Sequence, residues 1–243
     1  MRFVVVTLTL IVNLAAADQP FKAPYLRVFD DRLHAAMVTQ HEQALIAFKQ
    51  AATAVGYRDH FHFFRMDDGT YPAFNPQKTA HGSADSDAAW AEISEKLDPK
   101  LLAEGSEVFG ASIESQDLYT LSRRAAYSYP AVGVAPDDFL VMDILALKNT
   151  HLETAAATLM HQAALAKKQR VPQQYVVYSK LSGANLPILI RFTFAKNRAD
   201  YETRRNRTQT LLGEEGRKLE QALAECIRGQ TRRTGWYRRA ASY

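Results

Sequence analysis

The feature that most restricts the fold of this chain is an order of strands and helices that runs twice. In the second half, Phe139 to Leu147 has the length and apolar content of a strand. Asn149 or Thr150 can then cap a helix from about His151 to Gln169, which Val171-Pro172 ends. Gln174 to Tyr178 reads as a strand, Ser182 to Asn185 as a turn, and Ile188 to Phe194 as the hairpin partner. A charged helical stretch follows from about Asp200 to Ile227, with a break expected at Gly213 or Gly216. Gly235 to Arg239 closes as a short strand. The order is βαββαβ.

The first half gives the same order more faintly. Tyr25 to Phe29 is a short strand, His34 to Val55 is helical, and His60 to Arg65 is a strand ended by the Asp68-Gly69 turn. Tyr71 to Pro76 is weakened as a strand by two prolines. Helix is expected from Ser86 to Leu97 and on towards Ser115, and Leu118 to Arg124 closes the half. Three landmarks suggest a duplication: Arg123-Arg124-Ala125-Ala126 against Arg238-Arg239-Ala240-Ala241 at a shift of 115, Gly69 against Gly183 at 114, and Ala84-Asp85 against Ala199-Asp200 at 115. The expected organisation is a first repeat over residues 18–128, a linker at 129–136 and a second repeat over 137–243.

A βαββαβ unit makes an antiparallel sheet with both helices on one face and the other face bare. Two tandem units can pack bare face to bare face. In this respect the chain resembles the dimeric α+β barrel superfamily of ferredoxin-like domains, in a tandem form similar to NIPSNAP and antibiotic-biosynthesis-monooxygenase-type proteins. The resemblance rests on element order and carries no signature motif. It implies an α+β fold in which two ferredoxin-like repeats form an intramolecular barrel around a central cavity. Relatives use such cavities for cofactor-free oxygenation, haem chemistry or isomerisation. The expected role is the binding of a small, partly apolar molecule between the sheets, with an oxygenase-type enzyme, cofactor-free or haem-dependent, as the alternative.

The first seventeen residues differ from the rest. Arg2, the apolar run Phe3 to Leu14 and Ala15-Ala16-Ala17 follow the order of a secretory signal peptide, and the run is too short to span a bilayer. An exported protein, soluble in the periplasm or outside the cell after cleavage near Ala17, is the expectation. One cysteine, Cys226, excludes an intrachain disulfide and reads as a small buried hydrophobe on a helix.

Charge separates the halves. Residues 18–136 hold eleven Lys and Arg against sixteen Asp and Glu, whereas 137–243 hold eighteen against ten. Opposite signs favour docking of one half on the other. The arginines from Arg198 to Arg207 and from Arg228 to Arg239 read first as a solvated face with pairs such as Glu202–Arg205, and second as a contact for an anionic surface. No aromatic stacking pattern accompanies them, which argues against nucleic acid. Nothing in the sequence sets the oligomeric state.

Strand alternation nominates the cavity lining. His60, His62 and Phe64 are expected to point inward, with Tyr178 as a counterpart in the second half. On the hairpin partner, Ile188, Ile190, Phe192 and Phe194 are expected to face the helices, leaving Leu189, Arg191 and Thr193 inward. Asp143 and Trp236 are further lining candidates. His60 and His62 are weak metal ligands, needing a third from His34, His41, His81 or Asp143. Haem would need an axial donor such as His151 or His161. No motif calls for a cofactor, and both haem and a metal are left open. Glycine-rich phosphate loops and nucleophile elbows are absent from the sequence.

Overall fold

Eight strands alternate with five helices in the computed structural model, which describes residues 20–130 and 138–243. The expected leader at 1–17, and the linker from Ala131 onward, lie outside the described residues. The first half runs β1 (Tyr25–Leu33), α1 (Val38–Ala54), β2 (His62–Met66), β3 (Thr70–Gln77), α2 (Ser83–Ser94), α3 (Pro99–Ser112) and β4 (Ile113–Arg123). The second runs β5 (Phe139–Leu147), α4 (Leu152–Gln169), β6 (Tyr175–Lys180), β7 (Ile188–Ala195), α5 (Arg198–Cys226) and β8 (Ile227–Tyr237). The closing strands β4 and β8 start where the preceding helix ends, several residues earlier than expected. As anticipated, α5 breaks at Gly213, whose φ of 58° and ψ of −141° suit a residue without a Cβ.

The strands form one closed antiparallel barrel in the order β1-β3-β2-β8-β5-β7-β6-β4. Each half contributes four neighbouring strands, with its first and third strands in the middle. The halves join at two short seams. At one, Phe64, Arg65 and Met66 pair with Tyr237, Trp236 and Gly235; at the other, Leu121, Ser122 and Arg123 pair with Lys180, Ser179 and Tyr178. Prolines do not demote β3. Its neighbour β2 pairs only with Ala73 and Phe74, so Pro72 and Pro76 sit where that flank is unpaired.

Two segments tie each half to the other. After β4, the Arg124 N–H donates to the Val177 carbonyl (2.7 Å), and the Val177 N–H donates back to Ser128 Oγ (3.0 Å). After β8, the Arg238 N–H donates to the Phe63 carbonyl (2.9 Å), and the Phe63 N–H donates to Ser242 Oγ (3.0 Å). These contacts relate Arg124 to Arg238 and Ser128 to Ser242, a shift of 114. The alignment of the two Arg-Arg-Ala-Ala runs is therefore one residue out of step with the structure, whereas the glycine turns agree with it.

The lumen is packed rather than hollow, which corrects the expected cavity between the sheets. Leu26, Phe64, Phe74, Leu121, Leu140, Met142, Tyr178, Ile190 and Phe192 belong to one buried cluster drawn from both halves. Phe21, from the turn before β1, reaches into it, with its ring centroid 4.7 Å from that of Phe194 and 5.0 Å from that of Phe192. An eight-stranded barrel is just wide enough for side chains to fill, and aromatic ones fill it here. The row Ile190, Phe192 and Phe194 thus faces inward, contrary to expectation. Register decides this: Tyr178 pairs with Ile190 and Val176 with Phe192, and cross-strand partners share a face.

Outside the barrel, α1 covers the first half over Phe63, Tyr71 and Ala73, and α4 and α5 cover the second over Leu145, Val177 and Leu189. Cys226 is fully buried in that outer layer, as expected. The oppositely charged halves do meet through ion pairs. Arg233 contacts Asp30 (2.6 Å) and Asp68 (2.9 Å), Arg198 contacts Asp67 (2.8 Å), Arg238 contacts Glu42 and Lys180 contacts Asp117 (3.1 Å).

This packing sets the cost of substitutions. Phe192→Ala should cost about 3–5 kcal/mol in urea unfolding, whereas Trp236→Ala, on the outer face, should cost about 1 kcal/mol. Ser242→Ala, which strands a buried N–H, should cost about 1–3 kcal/mol.

Candidate functional site

Asp143 lies on β5, the strand between β7 and β8, so it has a direct cross-strand partner on each side. Those partners are Arg191 and Arg232. Along these strands the residues that alternate with the lumen row point outward, towards α4 and α5. The structure therefore brings Asp143 and Arg191 together as nominated, but on the outer face rather than in the lumen. Asp143 Oδ2 accepts from Arg191 Nη2 (3.0 Å) and Nε (3.3 Å), and Oδ1 accepts from Arg232 Nε (2.7 Å).

Burial alone would push the Asp143 carboxyl up. The charges and hydrogen bonds of Arg191 and Arg232 outweigh that and hold it below the usual carboxylate range. The Asp143 side chain is 2% exposed and the Arg191 and Arg232 side chains are 27% and 36% exposed, so the arginines are the more open part of the cluster.

That space is a cavity of about 280 Å³ between the outer face of β5, β6, β7 and β8 and the helices α4 and α5. Its polar wall includes Gln162, Tyr175, Thr193 and Tyr201 beside the arginines, and its apolar wall includes Leu145, Leu165, Leu219 and Leu223. Leu212 and Gly216, either side of the Gly213 break in α5, also line it. The Arg191 guanidinium lies 5.7 Å from the centre of the Tyr175 ring. Burial raises both the Tyr175 and Tyr201 phenols, so each stays protonated and can donate a hydrogen bond at neutral pH.

The other nominated residues lie elsewhere. Phe64 and Tyr178 are packed in the lumen. His62 is buried there too, its Nδ1 2.9 Å from the Tyr237 hydroxyl, with Nε2 buried and without a partner among the described residues. His60 precedes β2 and is exposed, so it does not share a strand face with His62. Trp236 is 41% exposed on the outer face, its ring centroid 5.1 Å from that of Phe139. Among the described residues, no group of three or more His, Cys, Asp or Glu side chains could hold a metal ion. Sequence reasoning missed Arg232, Tyr175 and Tyr201 as site residues. The signal for Arg232 was its place one strand over from Asp143, which becomes visible only when β8 is started at Ile227.

Haem fits this cavity poorly. His151 and His161 lie outside the cavity lining, and His161 pairs with Glu215 (3.1 Å) on the exposed side. Among the described residues no His, Cys or Met lines the space, and the phenols that do line it are kept protonated by burial. The volume lies at the lower bound for a small-molecule site.

Most of the C-terminal arginines are engaged within the molecule. Arg204 pairs with Asp200 (2.6 Å), Arg239 with Asp138 (3.0 Å), and Arg228 donates to the Leu147 carbonyl (3.1 Å). No described helix is long and apolar enough to cross a membrane.

Compared with models of protein families and with curated proteins, the sequence matches none. Solved structures do resemble it. A monooxygenase candidate from Lactobacillus acidophilus NCFM aligns with a TM-score of 0.57 at 8% identity, over 88% of this chain and 94% of that one. An anthrone oxidase-like protein aligns at 0.53 and 13% identity, over 90% and 93%. A chlorite dismutase from Candidatus Nitrospira defluvii aligns at 0.55 and 8%, over 90% and 92%. A heme-binding protein from Thermus thermophilus aligns at 0.51 and 7%, over 89% and 92%. These proteins share the fold of this chain, a mixed α and β architecture whose strands close into one eight-stranded antiparallel barrel.

Two buried imidazoles add to the acid sensitivity of this scaffold. His41 on α1, with Nδ1 2.8 Å from Ser112 Oγ, is lowered to about 4 by burial despite the neighbouring Glu42. His62 is lowered to about 4, by burial first and by the nearby His60 second. In the unfolded chain each protonates near 6.5, so the unfolded state takes up protons first as pH falls. Stability should therefore drop from about pH 6.5 to about pH 4, by roughly 3 kcal/mol per histidine. Urea titrations at several pH values should show this slope, and His62→Gln should reduce it.

Proposed function

We propose that this chain is an exported protein of two tandem ferredoxin-like repeats, similar to NIPSNAP and antibiotic-biosynthesis-monooxygenase-type barrels. It binds a small, partly apolar molecule in the cavity beneath α4 and α5. The export reading rests on Arg2, the apolar run Phe3 to Leu14 and the alanines before Asp18. Equal strand order in the two halves, and the paired tethers at Ser128 and Ser242, support the tandem reading. The observation that carries the binding site is the Arg191–Asp143–Arg232 cluster, which presents charge to a space walled by both polar and apolar side chains.

The second reading is an oxygenase-type enzyme at the same cavity. Neighbours named as a monooxygenase candidate and an anthrone oxidase-like protein favour it. A guanidinium pair is also suited to holding an oxyanion in a site walled from water. The cofactor-free form agrees with the donor set better than the haem-dependent form, because the described cavity lining lacks a His, Cys or Met donor.

The test is amide-detected NMR of the labelled protein with a set of small aromatic and aliphatic compounds. Shifts should concentrate at Tyr175, Thr193 and Tyr201, and Arg191→Ala should weaken binding about tenfold or more. Shifts around Phe64 and Tyr178 instead would return the site to the lumen. Oxygen uptake by metal-free protein with phenolic substrates, abolished in Arg191→Ala, would separate the enzyme from a binding protein.

A further inference from the structure

We infer that the cavity beneath α4 and α5 selects an aromatic monoanion, a carboxylate in the first instance, held by the uncommitted N–H groups of Arg191 and Arg232. The inference rests on the proposal that this cavity is the binding site, and adds the class of ligand.

The argument begins with donors. A guanidinium carries five N–H bonds. Arg191 directs Nε and Nη2 to Asp143, and Arg232 directs only Nε. The Nη1 group of Arg191 and both Nη groups of Arg232 therefore have no hydrogen-bond partner among the described residues. Both side chains line the cavity and are partly exposed to it. Opposite them, Asp143 is 2% exposed and has a guanidinium on each carboxylate oxygen. It is a positioning residue: it fixes two guanidiniums side by side on neighbouring strands and leaves one positive charge over.

The remaining charge on the cavity wall keeps this balance. Arg205 and Glu220 are the other ionised side chains among the described lining residues, and their charges cancel. The net charge of the lining is thus +1, which a monoanion neutralises and a dianion overshoots. A second negative charge would find Arg205 as the other cation of the described lining, and that guanidinium is already balanced by Glu220 and paired with Glu202 (3.5 Å). Leu145, Leu165, Leu219 and Leu223, with the Tyr175 and Tyr201 rings, provide a seat for a flat apolar body. A carboxylate can take two parallel N–H bonds from such a fork, which favours it over a neutral amide of the same shape.

The test uses the wild-type protein with two matched pairs: benzoate and benzamide, and 1-naphthoate and 1-naphthamide. Affinities are measured by NMR titration at pH 7. Each acid should bind at least about tenfold tighter than its amide, and inorganic phosphate should not displace it. In Arg232→Gln, which keeps Arg191 on the buried carboxylate, the preference should fall to within about twofold. Acids and amides bound equally would overturn the anion inference while leaving the cavity as the binding site. Displacement by phosphate would overturn the aromatic monoanion as the class. An undiminished acid preference in Arg232→Gln would remove Arg232 from the receptor. Failure of all four compounds to perturb Tyr175, Thr193 or Tyr201 would overturn the inference together with the site.

Discussion

Closure of the barrel is the constraint on which the rest of this structure depends. Eight antiparallel strands close through two seams of three residue pairs each, and each half's closing segment is hydrogen-bonded to the opposite half. Closure covers the strand edges at the seams and gives every strand an inside and an outside. Once β5 is held between β7 and β8, a carboxylate at Asp143 must have Arg191 on one side and Arg232 on the other. The candidate site is therefore a product of strand register, with no loop needed to assemble it.

The two faces of the sheet then take different work. Inside, aromatic and branched side chains from both halves fill the lumen, so the interior stabilises the fold and leaves little room for a ligand. Outside, α5 breaks at Gly213, and the helices stand off the second half enough to leave a cavity over the arginines. A buried carboxylate without partners would be strongly destabilising, and two guanidiniums remove that cost here. Their surplus positive charge gives the cavity its chemical character.

Charge acts at a larger scale as well. The acidic first half and basic second half meet through Arg233, Arg198, Arg238 and Lys180, each contacting a carboxylate across the boundary. Several arginines that look like a patch for an outside partner are therefore part of the internal contact between halves. The pairing of Arg233 with Asp30 lies at low exposure, where screening by salt is weak.

The sequence by itself determined the element order, a break in α5 at Gly213 or Gly216, the burial of Cys226 and the inward direction of His62, Phe64 and Tyr178. Each follows from local periodicity or from a residue's own conformational preference. Tertiary structure alone decided which face of β5, β7 and β8 holds the polar cluster. Both faces of β7 are largely covered, one by the lumen and one by helices, so hydrophobic alternation loses the sign that would tell inside from outside. Alternation alone therefore sends the row Ile190, Phe192 and Phe194 to the helices and Arg191 to the lumen. Register with β6 reverses the assignment, because residues paired across strands must share a face. The same pairing joins Arg232 to Asp143 across 89 positions of sequence, a contact that no local pattern encodes.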